Sequence, residues 1–294
     1  MQINSIHQII QSSHSKLQSH LNLSRIEAKH EAHLLLQHIL KVHRAWLIAH
    51  ENDVLKADTS NLFQSLLSRR LAGEPIAYIL GYREFYGLHL NVSSATLIPR
   101  PDTETLVEAA LAKIPEQTNH SQNSNQQLSV LDLGTGTGAV ALAIAKNRPS
   151  VSVFAVDASQ AALNIAIENA KNLDIHNVQF ILSDWFSALS DLKFDFIVSN
   201  PPYIEKNDAH LQQGDLRFEP ITALASGHDG LDDIRQIIMH APKYLNKNGW
   251  IMLEHGYNQA EAVAGLLQQT GFSEISHVLD LSGIKRVTMG QFSP

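Results

Sequence analysis

Asp132-Leu133-Gly134-Thr135-Gly136-Thr137-Gly138-Ala139 joins an apolar, strand-like run, Ser129–Leu133, to the helical stretch Val140–Lys146. Glycines let a backbone turn tightly and approach a ligand closely, and the following helix start offers unpaired N–H groups to an anion. Such a junction opens a strand–helix–strand unit, and the sequence on its far side continues the pattern. Ser152–Val156, Val178–Leu182, Phe194–Ser199 and Gly249–His255 read as further strands. Ala161–Asn172 and Leu231–Leu245 read as helices between them. Alternation of this kind predicts a doubly wound, mainly parallel sheet. Two last strands, Glu274–Leu279 and Ile284–Met289, have no helix-length spacer and should pair as an antiparallel hairpin at the sheet edge. The chain carries no internal repeat.

Chemistry in open α/β sheets gathers at the carboxyl ends of strands, so the residues there are the candidates. Read as G-x-G-x-x-A from Gly134, the first loop fits a dinucleotide fingerprint and leaves a nicotinamide enzyme and a methyltransferase equally open. Asp157 ends the second strand, where a carboxylate can accept both hydroxyls of a ribose or cap the next helix. After the third strand, Ser183-Asp184-Trp185 offers a carboxylate for an adenine amino group and an indole that packs on its ring or fills core. The fourth strand ends in Asn200-Pro201-Pro202-Tyr203. Two prolines fix φ and remove two donors, which leaves rigid carbonyls that only accept hydrogen bonds. Asn200 adds a side-chain acceptor and Tyr203 an aromatic face, a set that suits a planar NH2 group. An ordinary proline turn is the plainer reading of the same four residues.

With 294 residues, the chain has room for two domains, or for one large domain and a cap. Hydrophobic content of 44% with 17% charged residues fits an ordinary globular protein. Zero cysteines exclude disulfides, thiolate zinc sites and a cysteine nucleophile. A formal charge of −7 argues against a protein that binds free DNA or RNA through phosphates, although Arg69-Arg70 could form a local basic patch. No apolar run approaches the roughly 20 residues that span a bilayer. The start, Met1 to His7, lacks the basic and apolar regions of a signal peptide, so the cytoplasm is the expected location.

Residues 1–80 read as helical. From Ile26, the apolar residues Ala28, Ala32, Leu35, Leu36, Ile39 and Leu40 recur at helical spacing, with Ser24 as cap. A second stretch, Thr59–Leu71, puts Leu62, Leu66, Leu67 and Leu71 on one face. The period then drops to two at Leu88, Leu90 and Val92, which with the turn at Tyr86-Gly87 predicts a short hairpin. Residues 81–101 thus form a hairpin and linker, and 102–294 a catalytic domain that begins with a helix over roughly Thr103–Lys113. Glu116–Gln127, dense in Asn, Gln and Ser, is expected to be an exposed loop.

Taken in order, these strand ends resemble a class I S-adenosylmethionine-dependent methyltransferase carrying the Asn-Pro-Pro-Tyr motif of amino methyltransferases. Within that group the chain is similar to the HemK/PrmC family, which methylates the glutamine of the GGQ motif in class I peptide chain release factors. Gly73–Gly81, Phe85–Leu88, Leu97–Glu104, Phe218-Glu219-Pro220 and Leu253-Glu254-His255-Gly256 extend the likeness from about residue 20 onward. The resemblance implies a Rossmann-like, seven-stranded, mainly parallel sheet with a small N-terminal helical domain that recognises the release factor. It implies S-adenosylmethionine as cofactor, with Gly134, Thr135, Gly136, Thr137 and Gly138 around its methionine part. Asp157 would hold the ribose, Asp184 and Trp185 the adenine, and Asn200, Pro201, Pro202 and Tyr203 the substrate amide. No metal, no direct nucleic-acid substrate and no membrane partner is implied, and a monomer is favoured.

Other constellations carry less. Glu27, His30 and His33 can share a helix face, but His38 falls about 140° further round and completes no metal set. Asp102 and Glu104 border the substrate pocket or simply cap a helix. Glu254-His255 at a strand end suggests acid–base work, whereas the resemblance implies a structural or cofactor-proximal role. An adenine-N6 methyltransferase can use the same tetrapeptide, but the acidic balance and the lack of a basic recognition segment oppose it. A dehydrogenase leaves the tetrapeptide unexplained, and a binding module without activity would not need motifs this intact.

Overall fold

The computed structural model describes residues 5–116 and 127–293, so the core of the Gln/Asn-rich stretch lies outside the described residues. The chain divides into two compact units, one running to Gly81 and joined by Gln212–Phe218, the other comprising Tyr82–Leu211 and Glu219 onward.

In the helical unit, α1 (Ile6–Leu21) and α2 (Arg25–Leu40) both open on capping boxes. The Ser24 hydroxyl accepts Glu27 N–H at 3.2 Å while the Glu27 carboxylate accepts Ser24 N–H at 2.9 Å, which satisfies two free donors of the first turn. Three further helices follow: α3 (Arg44–Ala49), α4 (Ala57–Leu71) and α5 (Ile76–Leu80). Ala28, Ala32, Leu35 and Leu36 are fully buried, as their spacing predicts, but Ile26 in the first turn is 82% exposed. On α4 the buried face is Phe63, Leu66, Leu67 and Arg70 rather than one led by Leu62. The larger Phe63 takes the core and rotates the stripe by one residue. Arg70 is therefore no surface charge: its guanidinium donates to Glu31 at 2.7 Å and to Asp215 at 3.2 Å. Arg70 serves packing, because a buried cation must be matched by carboxylates, while Arg69 stays exposed with its charge held by Glu74.

The second unit begins with the hairpin β1 (Tyr82–Phe85) and β2 (Leu88–Asn91), whose Leu88 and Leu90 point inward as the period of two requires. Next come α6 (Glu104–Lys113), β3 (Ser129–Leu133), α7 (Ala139–Asn147), β4 (Ser152–Asp157), α8 (Gln160–Asn172), β5 (Val178–Leu182) and β6 (Phe194–Ser199). The chain ends with α9 (Asp232–Tyr244), β7 (Leu245–Glu254), α10 (Ala260–Gln269), β8 (Phe272–Leu279) and β9 (Lys285–Phe292). Among the described residues these strands form one seven-stranded sheet, ordered β5-β4-β3-β6-β7-β9-β8. β3 to β7 run parallel, and β9 is antiparallel to both β7 and β8.

Successive strand residues face opposite sides: Val130 and Val153 pack with α6 and α7, whereas Leu131 and Ile197 pack with α9 and α10. β8 and β9 are longer than the sequence pattern suggests. A bulge between Ser273 and Ser276, with Glu274 at φ 52°, breaks the alternation, and the paired Phe272 and Phe292 rings close the edge beyond it. From β3 the sheet grows one way through β4 and β5, then returns to β3's other side with β6. That reversal is the topological switch point, where a crevice opens at the strands' carboxyl ends.

Candidate active site

The site begins with Asp132, fully buried near the end of β3. Its Oδ2 accepts the Thr135 hydroxyl at 2.6 Å and Ala141 N–H at 3.2 Å, fastening the glycine loop to the first turn of α7. This carboxylate replaces the side-chain cap that Gly138, at the helix N-cap, cannot supply. Burial, with some repulsion from Asp157, pushes the Asp132 carboxyl up to about 7. Gly134 and Gly136 have φ of 72° and 56°, a region open to glycine, and both line a cleft of about 570 Å³. Thr135, Thr137 and Gly138 stand behind that wall: the threonines are buried, and Gly138 packs on Leu142 and Ala166.

Asp157, at the end of β4, holds the loop from the other side. One carboxylate oxygen accepts Gly136 N–H at 2.8 Å and the other accepts Ser159 N–H at 2.8 Å. Burial raises its pKa against these two bonds. After β5, the Ser183 hydroxyl donates to Trp185 O at 2.8 Å and accepts Ala188 N–H at 3.0 Å, folding the turn that presents Asp184 and Trp185 to the cleft. The indole lies against Gly134, where an added Cβ would come within 3.4 Å of the ring.

The tetrapeptide leaves β6, with the Ser199 hydroxyl tied to Leu133 O at 2.7 Å. Asn200 and Pro202 reach the cleft wall, whereas Pro201 and Tyr203 do not. Asn200 Nδ2 donates to Thr103 Oγ1 at 3.0 Å, which leaves Oδ1 as the free end of the amide. Tyr203 Oη donates to Glu254 Oε1 at 3.3 Å, and Tyr203 O accepts the Gln259 amide at 3.0 Å. Burial raises the Tyr203 phenol well above its usual range. The same effect, against the nearby Thr103 and Tyr203 hydroxyls, takes the fully buried Glu254 up to about 7.

Several site residues were given no role from the sequence. Ser94–Leu97, Thr222, Ala223 and Asp233 complete the cleft lining and carry no motif apart from Leu97. Glu219, buried, pairs with Arg100 and accepts Ile98 N–H at 3.4 Å, so it straps Ile98–Arg100 to the Pro220 loop. Asn169 on α8 bridges the hairpin and the glycine loop, donating to Asn91 O at 3.0 Å and to Thr137 O at 2.9 Å. In the helical unit, His33 is buried with Nδ1 on Lys29 O at 2.6 Å, and Glu27 is spent on the Ser24 cap. Among the described residues no three metal-binding side chains converge.

This sheet order, glycine loop and switch-point cleft define a class I methyltransferase fold. A methyltransferase from Pyrococcus furiosus superposes with a TM-score of 0.53 at 15% identity, over 79% of this chain and 100% of that one. Residues 117–216 match the methyltransferase small domain family, and residues 15–81 match the PrmC N-terminal domain. Two curated proteins named release factor glutamine methyltransferase align over most of their length. That of Vibrio cholerae is 49% identical over 89% of both chains, and that of Escherichia coli 45% identical over 90% of this chain and 92% of its own. The chain belongs to the family of release factor glutamine methyltransferases.

The cofactor of such an enzyme is S-adenosylmethionine, and the cleft has the groups to receive it. An added Cβ on Gly136 would meet no protein atom within 4 Å, so the backbone faces open space. Asp157 is held by two backbone donors yet keeps acceptor capacity for ribose hydroxyls. Asp184 and Trp185 supply a carboxylate and a ring on the same wall.

Proposed function

We propose that the protein methylates the side-chain amide nitrogen, N5, of the glutamine in the GGQ motif of class I peptide chain release factors. The free Oδ1 of Asn200 at the cleft wall carries this reading, since it is an acceptor aimed where an NH2 group would sit. The names of the curated relatives, release factor glutamine methyltransferase, supply the substrate class. Gly134 and Gly136 would lie along the cofactor's methionine part, Asp157 would hold its ribose, and Asp184 with Trp185 its adenine. When bound, S-adenosylmethionine supplies a methyl group on a sulfonium, whose leaving group is a neutral thioether.

The nucleophile is a poor one, because the amide lone pair is delocalised into its carbonyl. Asn200 Oδ1 accepts one of its two N–H bonds, which orients the nitrogen and favours the positive charge developing on it. The Pro201 carbonyl, set behind the cleft wall, would accept the second only if the tetrapeptide shifts on binding. Tyr203 supports this clamp: its carbonyl is fixed by Gln259 and its hydroxyl by Glu254. No strong base is needed before transfer, because the nitrogen-bound proton becomes acidic as the N–C bond forms. Catalysis here is positioning.

The helical unit recognises the protein substrate in this reading, and the enzyme works as a monomer in the cytoplasm on protein rather than nucleic acid. No helix among the described residues is long and apolar enough to cross a membrane. Methyl transfer from labelled S-adenosylmethionine to purified release factor tests the proposal, with a GGQ glutamine-to-alanine variant and duplex DNA as parallel acceptors. Label on the wild-type factor alone is expected. Label on DNA, or equally on the variant, would overturn the substrate assignment.

A further inference from the structure

Two buried groups, Glu254 and Thr103, are left with an imbalance that has one local solution. Glu254 Oε2 has no hydrogen-bond partner. Thr103, 4% exposed, has its oxygen occupied by the Asn200 amide, so the hydroxyl proton must find an acceptor elsewhere. The Thr103 hydroxyl stands close enough to Glu254 to hold its pKa down, so the orphaned Oε2 is the acceptor within its reach. An ionised carboxylate only accepts hydrogen bonds. Facing it, the Thr103 hydroxyl donates, its oxygen accepts from Asn200 Nδ2, and Asn200 Oδ1 is turned to the cleft.

We propose that Glu254 is a positioning residue that sets the direction of a Glu254–Thr103–Asn200 hydrogen-bond chain and thereby presents the Asn200 oxygen to the substrate amide. It does not line the cleft, and it acts through Thr103 on one side and Tyr203 on the other. The inference rests on the amide-clamp reading of the site. Protonation of Glu254 makes it a donor and removes the reason for Thr103 to point that way.

The groups facing Glu254 are the Tyr203 and Thr103 hydroxyls, Arg286, which stabilises the carboxylate, and Asp102, which opposes it. Arg286 is itself held by Asp102 at 3.0 Å and Asp280 at 3.1 Å, and is thereby partly neutralised. Turnover should therefore rise with pH along a limb near the Glu254 value of about 7.

The experiment compares wild type, Glu254→Gln, Thr103→Val and Thr103→Ser in steady-state methylation of release factor across pH 6 to 9. Glu254→Gln, which can donate where the carboxylate accepts, should lose at least about tenfold in kcat, with KM and cofactor affinity within about twofold. It should also lose the pH limb. Thr103→Val should behave alike, and Thr103→Ser should restore the turnover that valine removes. The side-chain NH2 resonances of Asn200, followed in the ¹⁵N spectrum without substrate, should titrate with the same midpoint in wild type and stay flat in Glu254→Gln. Unchanged kcat in Glu254→Gln, or Asn200 resonances flat in wild type, would overturn the inference. A wild-type enzyme silent on release factor would overturn the proposed substrate instead, and the resonances would still decide this point.

Discussion

Asn200 holds one end of its amide on Thr103 and turns the other to the cleft. Asn200→Ala removes the oriented acceptor without touching Gly136, Asp157 or Trp185, so cofactor affinity measured by calorimetry should stay within about threefold while kcat falls by more than about tenfold. Wild-type turnover in this variant would sink the clamp. That Asn200, Asp157 and Trp185 would line the cleft was legible, because each sits at a local signal, a strand end followed by a turn. Thr103, Glu254, Asn169 and Glu219 were not. Each acts through a partner remote in sequence: Thr103 lies 97 positions from Asn200, and Glu254 lies 51 from Tyr203. A threonine or glutamate has no preferred partner until the fold supplies one. Motifs of the family resemblance contained Thr103, Glu219 and Glu254, but nothing in the sequence named the partners through which they act.

At the element scale, the glycine loop shows how one sequence signal covers two physical demands. Gly138 has φ 82°, and an added Cβ would lie 3.0 Å from Leu142 and 3.2 Å from Ala166, both core atoms. Gly136 has φ 56° and nothing within 4 Å of that position. Gly138→Ala should therefore cost about 2–4 kcal/mol in urea unfolding, backbone strain plus overpacking. Gly136→Ala should cost only about 1–2 kcal/mol from strain, yet weaken cofactor binding about tenfold or more because its methyl enters the cleft. Equal stability losses, or a Gly136→Ala enzyme that binds cofactor normally, would contradict this division. From sequence the glycines looked alike, since spacing shows permissive backbone but not which side of it is crowded. Helix ends were legible where a side chain caps them, as at Ser24. Helix faces were less so where tertiary packing decides, as with Phe63 displacing Leu62 from the buried face of α4.

At the scale of the whole molecule, buried carboxylates link the stability of the sheet unit to pH. Asp132 is the clearest, because burial raises it from 3.8 to about 7 while Thr135 and Ala141 hold the same oxygen. A carboxyl raised in the folded state binds its proton more tightly there than in the unfolded chain. Its stabilising contribution is complete below the unfolded value of 3.8 and is lost as pH climbs through about 7. The size is on the order of 4 kcal/mol for a shift of this extent. Glu254, raised to about 7, adds in the same direction. The buried histidines His33 and His255 are lowered, chiefly by burial, and so oppose it, losing stability as pH falls. The net slope is thus a sum, and the Asp132 part must be read by difference. Asp132→Asn keeps an oxygen for Thr135 and Ala141 but does not titrate. Denaturant unfolding of wild type and variant at pH 5 and pH 8 should show the variant gaining relative stability at the higher pH. Parallel stabilities at both values would mean that the Asp132 carboxyl is ionised throughout, and that water or a local opening relieves its burial.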